Sequence, residues 1–320
     1  MKSNNVYITD YIQNPDIEKN VLKDNLSSSL HKDIEVLLVW HENINKDYID
    51  KQPALKGVIR YGVGYDNIDI KYAESKGILC CNTPDYGTEE VSDTVIAMIM
   101  NIIRGVTRYD YLCRNLKNTW QENTINSIKR TSDIILGVIG AGRIGGSIIL
   151  RAHDLRIKTM FYDPYKPRGY EKLLGSQRVD ELDILLTQSD IISINTPLTD
   201  ETKNMVDENF VASMKKGSSL INTARGKIVK HIDIFYKPLR ENHLLCVNLD
   251  VMPDEPPSDT SKLIDAWRKR TEWLDGRLII NPHVAYFSKN AYIEMRQKAA
   301  ENAKRILENK KPFNILNTDM

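Results

Sequence analysis

The sequence predicts an α/β protein with two parallel-sheet domains, and three observations carry that expectation. Strand-like and helix-like segments alternate along all 320 residues, the pattern of a parallel sheet covered by helices. An apolar run, Ile134–Ile139, leads straight into Gly140-x-Gly142-x-x-Gly145, and a helix-like segment follows it. That glycine turn falls well inside the chain, so a separate α/β unit precedes it.

Taken in order, residues 6–9, 36–39, 57–60 and 78–81 read as short buried strands, with helices at 15–22 and 69–75. Residues 90–104 form a longer helix, with Val91, Val95, Met98, Ile99 and Ile102 on a helical period. Residues 109–130 are polar, dotted with aromatic side chains and weakly periodic. The pattern then restarts. Strands are expected at 134–139, 158–162, 191–194, 218–222, 244–250 and 278–280, and helices at 143–155, 180–188, 207–214 and 231–241. Pro238 should kink or break the last of these. A helix over 289–309 ends the chain, placed to cross back onto the first unit. The expected division is 1–103 plus 289–320 for a discontinuous first domain and 104–288 for the second. Together they make two Rossmann-like or flavodoxin-like domains with a cleft between them, where small ligands usually sit.

Composition narrows the function. Hydrophobic residues make up 41% and charged residues 27% of the chain, as in ordinary globular proteins. The net charge of +1 provides no drive toward nucleic acid or an anionic membrane. Cys80, Cys81, Cys113 and Cys246 lack metal-ligand spacing and read as buried thiols of a reducing compartment. No metal site is expected. The N-terminus is polar and charged, and no apolar run is long enough to cross a bilayer, so a cytoplasmic location is expected.

The glycine turn points to a dinucleotide. Gly140 permits the tight turn, Gly142 lets the backbone approach a pyrophosphate, and Gly145 allows close helix–strand packing. With Arg143 and Ile144 they open a helix whose N-terminal N–H groups and dipole favour phosphate. Eighteen residues past Gly145, Asp163 ends the next strand, where a carboxylate accepts from a ribose diol. An acid there suits NAD better than NADP, although Lys166 and Arg168 lie nearby.

Three strand ends in the second unit carry reactive side chains: Asn222-Thr223-Ala224-Arg225-Gly226, Asp250-Val-Met-Pro-Asp254-Glu255, and Asn281-Pro282-His283. In an open parallel sheet the carboxyl ends of the strands line the ligand crevice. Arg225, Glu255 and His283 each have a bland reading, as a surface ion-pair residue, a loop carboxylate and a half-buried histidine. Convergence of all three on one dinucleotide fold favours chemistry.

These motifs, together with Arg60-Tyr-Gly-Val-Gly-Tyr-Asp-Asn-Ile-Asp69, resemble the NAD-dependent D-isomer-specific 2-hydroxyacid dehydrogenases. Phe161-Tyr-Asp-Pro-Tyr165, Leu174–Arg178 and Ile293-Glu-Met-Arg296 resemble the branch that contains C-terminal-binding protein. The resemblance implies that Arg225 binds the substrate carboxylate and polarises the 2-oxo group. His283 would be the general acid/base and Glu255 its partner. Val63 and Gly64 would meet the substrate from the other domain, Asp250 the nicotinamide carboxamide, and Thr196 and Pro197 the adenine side, with Thr223 and Ala224 also at the cofactor. Arg60 is either a second cation for the substrate or an arginine paired with an acid such as Asp66 or Asp85, and Tyr286 is a large ring beside His283. The implied activity is interconversion of a small 2-oxo acid and its D-2-hydroxy acid, in a homodimer whose arm is the segment 109–130. Several positions depart from the family's pattern: Cys246-Val247-Asn248 is bulkier and more polar than usual, Lys230 replaces an acid, Tyr286 replaces a tryptophan, and 261–273 reads as an inserted helix. A protein that senses NAD(H) through dimerisation is the competing expectation.

Overall fold

The structure, a computed structural model, describes residues 4–317. The first three residues of the polar N-terminus and the last three of the terminal segment lie outside it. Contacts divide the chain into two units: residues up to Gly87 with those from Phe287 onward, and Thr88–Tyr286. The first boundary thus falls before the long helix at 88–104, not after residue 103. The cause is packing. Val95, Met98, Ile99, Ile102 and Ile103 share one buried cluster with Ile148, Ile149 and Ala152 of the helix that follows the glycine turn. An amphipathic helix belongs to whichever surface buries its stripe.

The first unit contains β1 (Val6–Ile8), α1 (Asp16–Leu22), β2 (Val36–Val39), α2 (Lys46–Asp50), β3 (Gly57–Arg60), α3 (Ile70–Ser75) and β4 (Leu79–Cys81). The strands are parallel in the order β1-β2-β3-β4. Single bridges extend both edges, Leu26 parallel to Val6 and Ile315 antiparallel to Cys81. The spatial order is therefore that of a flavodoxin-like sheet. The short helix α2 has no clear apolar period. It forms because Asn45 caps it, accepting from the N–H of Tyr48.

The second unit contains α4 (Thr88–Arg104), α5 (Val106–Asn115), β5 (Ile135–Ile139), α6 (Arg143–Asp154), β6 (Lys158–Tyr162), α7 (Tyr170–Leu174), β7 (Gln177–Arg178), α8 (Leu182–Gln188), β8 (Ile191–Ile194), α9 (Glu208–Ser213), β9 (Ser218–Asn222), α10 (Tyr236–Arg240), β10 (Leu244–Leu249), α11 (Lys262–Arg268) and β11 (Leu278–Ile280). Its seven parallel strands run β11-β10-β9-β8-β5-β6-β7. The order reverses between β5 and β8, the switch point at which dinucleotides bind in such sheets.

Two expectations about helices change. The segment 109–130 is not irregular from its start, because α5 occupies Val106–Asn115. Gly105, at φ +64°, ends α4 and lets the chain turn into α5. Pro238 does not break its helix. A 3-10 turn over Ile232–Phe235 comes first, and Pro238 then sits third in α10. There its missing N–H is one of those a first turn leaves unbonded in any case.

The terminal helix α12 (Lys289–Leu307) packs on α1 within the first unit. A buried charge pair fixes this contact. Arg296 Nε and Nη2 reach the fully buried Glu18 at 2.9 and 2.6 Å, and Tyr61 donates to the same carboxylate at 2.9 Å. A buried carboxylate is tolerated only with such partners.

Candidate active site

The glycine turn joins β5 to α6. Gly140 takes φ +87°, and a Cβ there would lie 2.9 Å from the carbonyl oxygen of Asn195 at the end of β8. A Cβ on Gly145 would lie 2.0 Å from the carbonyl oxygen of Gly140, so the helix can approach the turn only without a side chain. Gly142 faces open space and begins α6 with no side-chain cap, which leaves its first N–H groups for a ligand. Arg143 is exposed and Ile144 half-buried. The hydroxyl of Thr196 is buried with no partner among the described residues, beside an exposed Pro197. This cradle of N–H groups, open backbone and an unsatisfied hydroxyl suits a dinucleotide pyrophosphate. Thr223 is buried and Ala224 half-buried at the end of β9.

Asp163 does more than the sequence showed. Its Oδ2 accepts from the N–H of Ala141 inside the glycine turn at 2.9 Å, and its Oδ1 accepts from the N–H of Tyr165 at 3.0 Å. Each oxygen keeps a lone pair, so the carboxylate can accept further hydrogen bonds beside these two. The two cations nearby are engaged. Lys166 lies over the ring of Tyr170, 5.1 Å from its centroid, and Arg168 bonds Asp180 at 3.0 Å.

Arg225, Glu255 and His283 are brought together. The Nδ1–H of His283 donates to Oε2 of Glu255 at 2.9 Å, leaving Nε2 for a substrate. The other Glu255 oxygen accepts from the N–H of Met252 at 2.9 Å. Burial alone would raise the Glu255 carboxyl. The hydrogen bond from His283, the Met252 N–H and the positive fields of His283 and Arg225 together hold it below its ordinary value. The two side chains are 45% and 40% exposed, so they remain open to a reactant. Arg225 is carried by a loop that Asn222 braces at both ends: its Oδ1 accepts from Ala224 N–H and its Nδ2 donates to the carbonyl of Arg225, each at 3.0 Å. Gly226 lies so close to Met252 that a Cβ would sit 1.7 Å from the Met252 carbonyl oxygen. This approach brings the arginine loop against the glutamate loop.

The resemblance gives Asp250 a nicotinamide contact; in the structure its carboxylate is buried and each oxygen accepts one backbone N–H. Oδ1 accepts from Val284 N–H at 3.0 Å and Oδ2 from Ala285 N–H at 2.9 Å, while its carbonyl accepts from His283 N–H at 2.8 Å. Burial raises its pKa, against those two N–H donors. His283 itself sits at φ +56°, a left-handed conformation costly for a residue with a Cβ. Three hydrogen bonds accepted by Asp250 hold that turn. Neither Asp250 nor Asn222 gives a periodic or motif signal of this role, because their partners are backbone groups of other loops.

In the first unit, the turn after β3 exposes Val63, with Gly64 half-buried. Thr83 fixes Gly62 through both an accepted and a donated bond, and Asn82 donates to the carbonyl of Val63 at 2.7 Å. Arg60 has buried Nε and Nη1 atoms, and a Cβ on Gly62 would lie 3.2 Å from Nη1 and 3.4 Å from the hydroxyl of Tyr86. The guanidinium thus lies close to the Gly62 turn. Tyr286 is half-buried at the end of the second unit.

A family model described as D-isomer specific 2-hydroxyacid dehydrogenase, NAD binding domain, matches residues 96–285. The chain belongs to that family. Its cofactor is NAD(H), which the cradle at the β5–β8 switch point fits. A glyoxylate reductase of Korarchaeum cryptofilum is 32% identical over 295 residues, covering 90% of this chain and 84% of that one. A D-3-phosphoglycerate dehydrogenase of Methanocaldococcus jannaschii is 28% identical over 98% of this chain, which spans only 57% of its length. Among solved structures, a D-lactate dehydrogenase from Aquifex aeolicus, complexed with NAD and lactic acid, superposes with a TM-score of 0.86 at 28% identity, covering 99% of this chain and 100% of that one. Among the described residues, no helix of this family member is long and apolar enough to cross a membrane.

Proposed function

We propose that this protein reduces a small 2-oxo acid to its D-2-hydroxy acid with NADH, and runs the reverse reaction with NAD. The observation that carries the reading is the His283–Glu255 pair at 2.9 Å, with Arg225 beside it, at the carboxyl ends of three adjacent strands of a dinucleotide-binding sheet. Bound NADH supplies the hydride. The guanidinium of Arg225 takes the substrate carboxylate and polarises the adjacent carbonyl through its forked donors. His283 gives the proton on Nε2 to the carbonyl oxygen as that oxygen gains charge. Glu255 orients the imidazole by accepting from its Nδ1–H, which directs Nε2 to the substrate.

Tyr286 beside the histidine turn favours short polar 2-oxo acids, such as glyoxylate and hydroxypyruvate, over bulky aromatic ones. A panel of 2-oxo acids assayed by NADH oxidation tests both claims. Turnover of glyoxylate or hydroxypyruvate supports them, and a strong preference for phenylpyruvate would overturn the substrate class. Tight NADH binding with no turnover on any acid would instead indicate the sensing protein.

A further inference from the structure

Asn248 occupies the interior of β10, where the sheet is otherwise apolar. It is fully buried, and neither amide atom has a hydrogen-bond partner among the described residues. Its neighbours in register are Ile221 on β9 and Ile279 on β11. A register shift falls between Leu244 and Cys246. Beyond it Cys246, Asn248 and Asp250 share one face by the two-residue alternation of a strand. That face is the α4 side, because Cys246 belongs to the cluster with Val95 and Met98, and Thr94 of α4 donates to the carbonyl of Ala285, next to the Asp250 cap.

Asn248 therefore stands one pleat below Asp250, at a spacing of about 6.6 Å along the strand. Two hydrogen bonds through one water span about 5.5 Å. An amide with a donor and an acceptor unused, facing a carboxylate with spare lone pairs, is the polar setting that retains buried water. An orphaned amide in an apolar cluster is otherwise a pure cost to the fold.

We propose that Asn248 is a positioning residue: it holds internal water that bonds the underside of the Asp250 carboxylate and so fixes the His283 turn. The water accepts from Nδ2, donates to Oδ1 and donates to Asp250. With that support, the carboxylate keeps its two oxygens aimed at the N–H groups of Val284 and Ala285, and the left-handed His283 backbone stays in place. Only the activity arm of the test rests on the proposed function.

Amide hydrogen exchange followed by NMR reads the bonds directly, in the full chain and without substrate. In Asn248→Val, the Val284 and Ala285 amides should exchange about tenfold faster, while the melting temperature changes little, since valine packs in the apolar cluster where the hydrated amide stood. Asn248→Ser, which still donates and accepts, should exchange as the parent protein does. On whichever 2-oxo acid is reduced, Asn248→Val should lower kcat about tenfold with the KM for NADH within about twofold. Should the valine variant not fold, Asn248→Ala removes the same amide without added bulk and is read in the same way. Unchanged exchange of both amides in the variant lacking the amide overturns the proposal. If no acid is reduced, the functional reading fails, and the exchange data still decide this one.

Discussion

His283 combines a ring directed by Glu255 with a strained backbone held by Asp250, so its side chain and its main chain are fixed by different residues. Removing the ring should spare the turn. His283→Ala is expected to lower kcat by about a hundredfold or more, the scale for losing a general acid, with NADH affinity unchanged in a fluorescence titration. Near-normal turnover would end its assignment. Asp163 presents the opposite case, one carboxylate that braces the glycine turn and that we expect also to face a ribose. Lys166 and Arg168 are occupied with Tyr170 and Asp180, so little offsets the repulsion between Asp163 and a 2′-phosphate. The enzyme should have a higher kcat/KM with NADH than with NADPH. Asp163→Ala should narrow that gap and also weaken both cofactors, because the N–H of Ala141 loses its acceptor. Equal kcat/KM values in the parent protein would count decisively against this.

Elements here are set by turns and caps as much as by apolar periods. The β5–α6 junction works only because Gly145 has no side chain. Gly145→Ala puts a methyl into the Gly140 carbonyl, and should cost about 1–3 kcal/mol, the scale of overpacking, with a clear loss of NADH affinity. Urea denaturation and a binding titration check the two effects. At the opposite ends of the strands, Asp190 ties three elements together. Its oxygens accept from Lys129 and Lys215 at 3.0 and 2.8 Å and from the N–H of Ile135 at 3.0 Å. Burial would raise its carboxyl, and these donors outweigh burial and hold it below its ordinary value. A depressed folded value means the stabilisation is fully present above the unfolded pKa and is lost as pH falls through the folded one. Asp190→Asn should therefore cost about 1–3 kcal/mol at pH 7, and its deficit should shrink below pH ~4. A deficit that stayed constant as the pH fell well below ~4 would refute the linkage.

For the whole molecule, assembly is the open property. The segment after α5 is tied partly to its own unit, since Tyr109 accepts from the N–H of Ile125 at 3.1 Å and Arg108 donates to Ser127 at 2.8 Å. Trp120 nevertheless remains 67% exposed. A large ring left in water favours a surface that another chain covers, and we expect a homodimer formed through this arm. Light scattering at micromolar concentration with NADH should give two chains per particle, and Trp120→Ser should shift it toward one. A monomer in the parent protein would remove the expectation. Both measurements use the full chain, because the discontinuous first unit needs residues from either end of the sequence.

The strand runs Val36–Val39, Gly57–Arg60, Lys158–Tyr162, Ile191–Ile194, Ser218–Asn222 and Leu278–Ile280 could be read to the residue from sequence. Short apolar runs bounded by turn residues are local signals, and so is the spacing of Gly140, Gly142, Gly145 and Asp163. The His283–Glu255–Arg225 set could be named because each residue follows a strand whose carboxyl end topology sends to one side. Tertiary structure alone decided the rest. The stripe on α4 was visible in the sequence, but the surface that buries it was not, so the boundary moved to Gly87. Asp250 holding the His283 turn, and Asn248 buried without a partner beneath it, depend on which loops and helices meet at that face. Periodicity reports which side of an element is apolar. It carries no information about which distant group a buried polar atom will find there, and that group determines what the atom does.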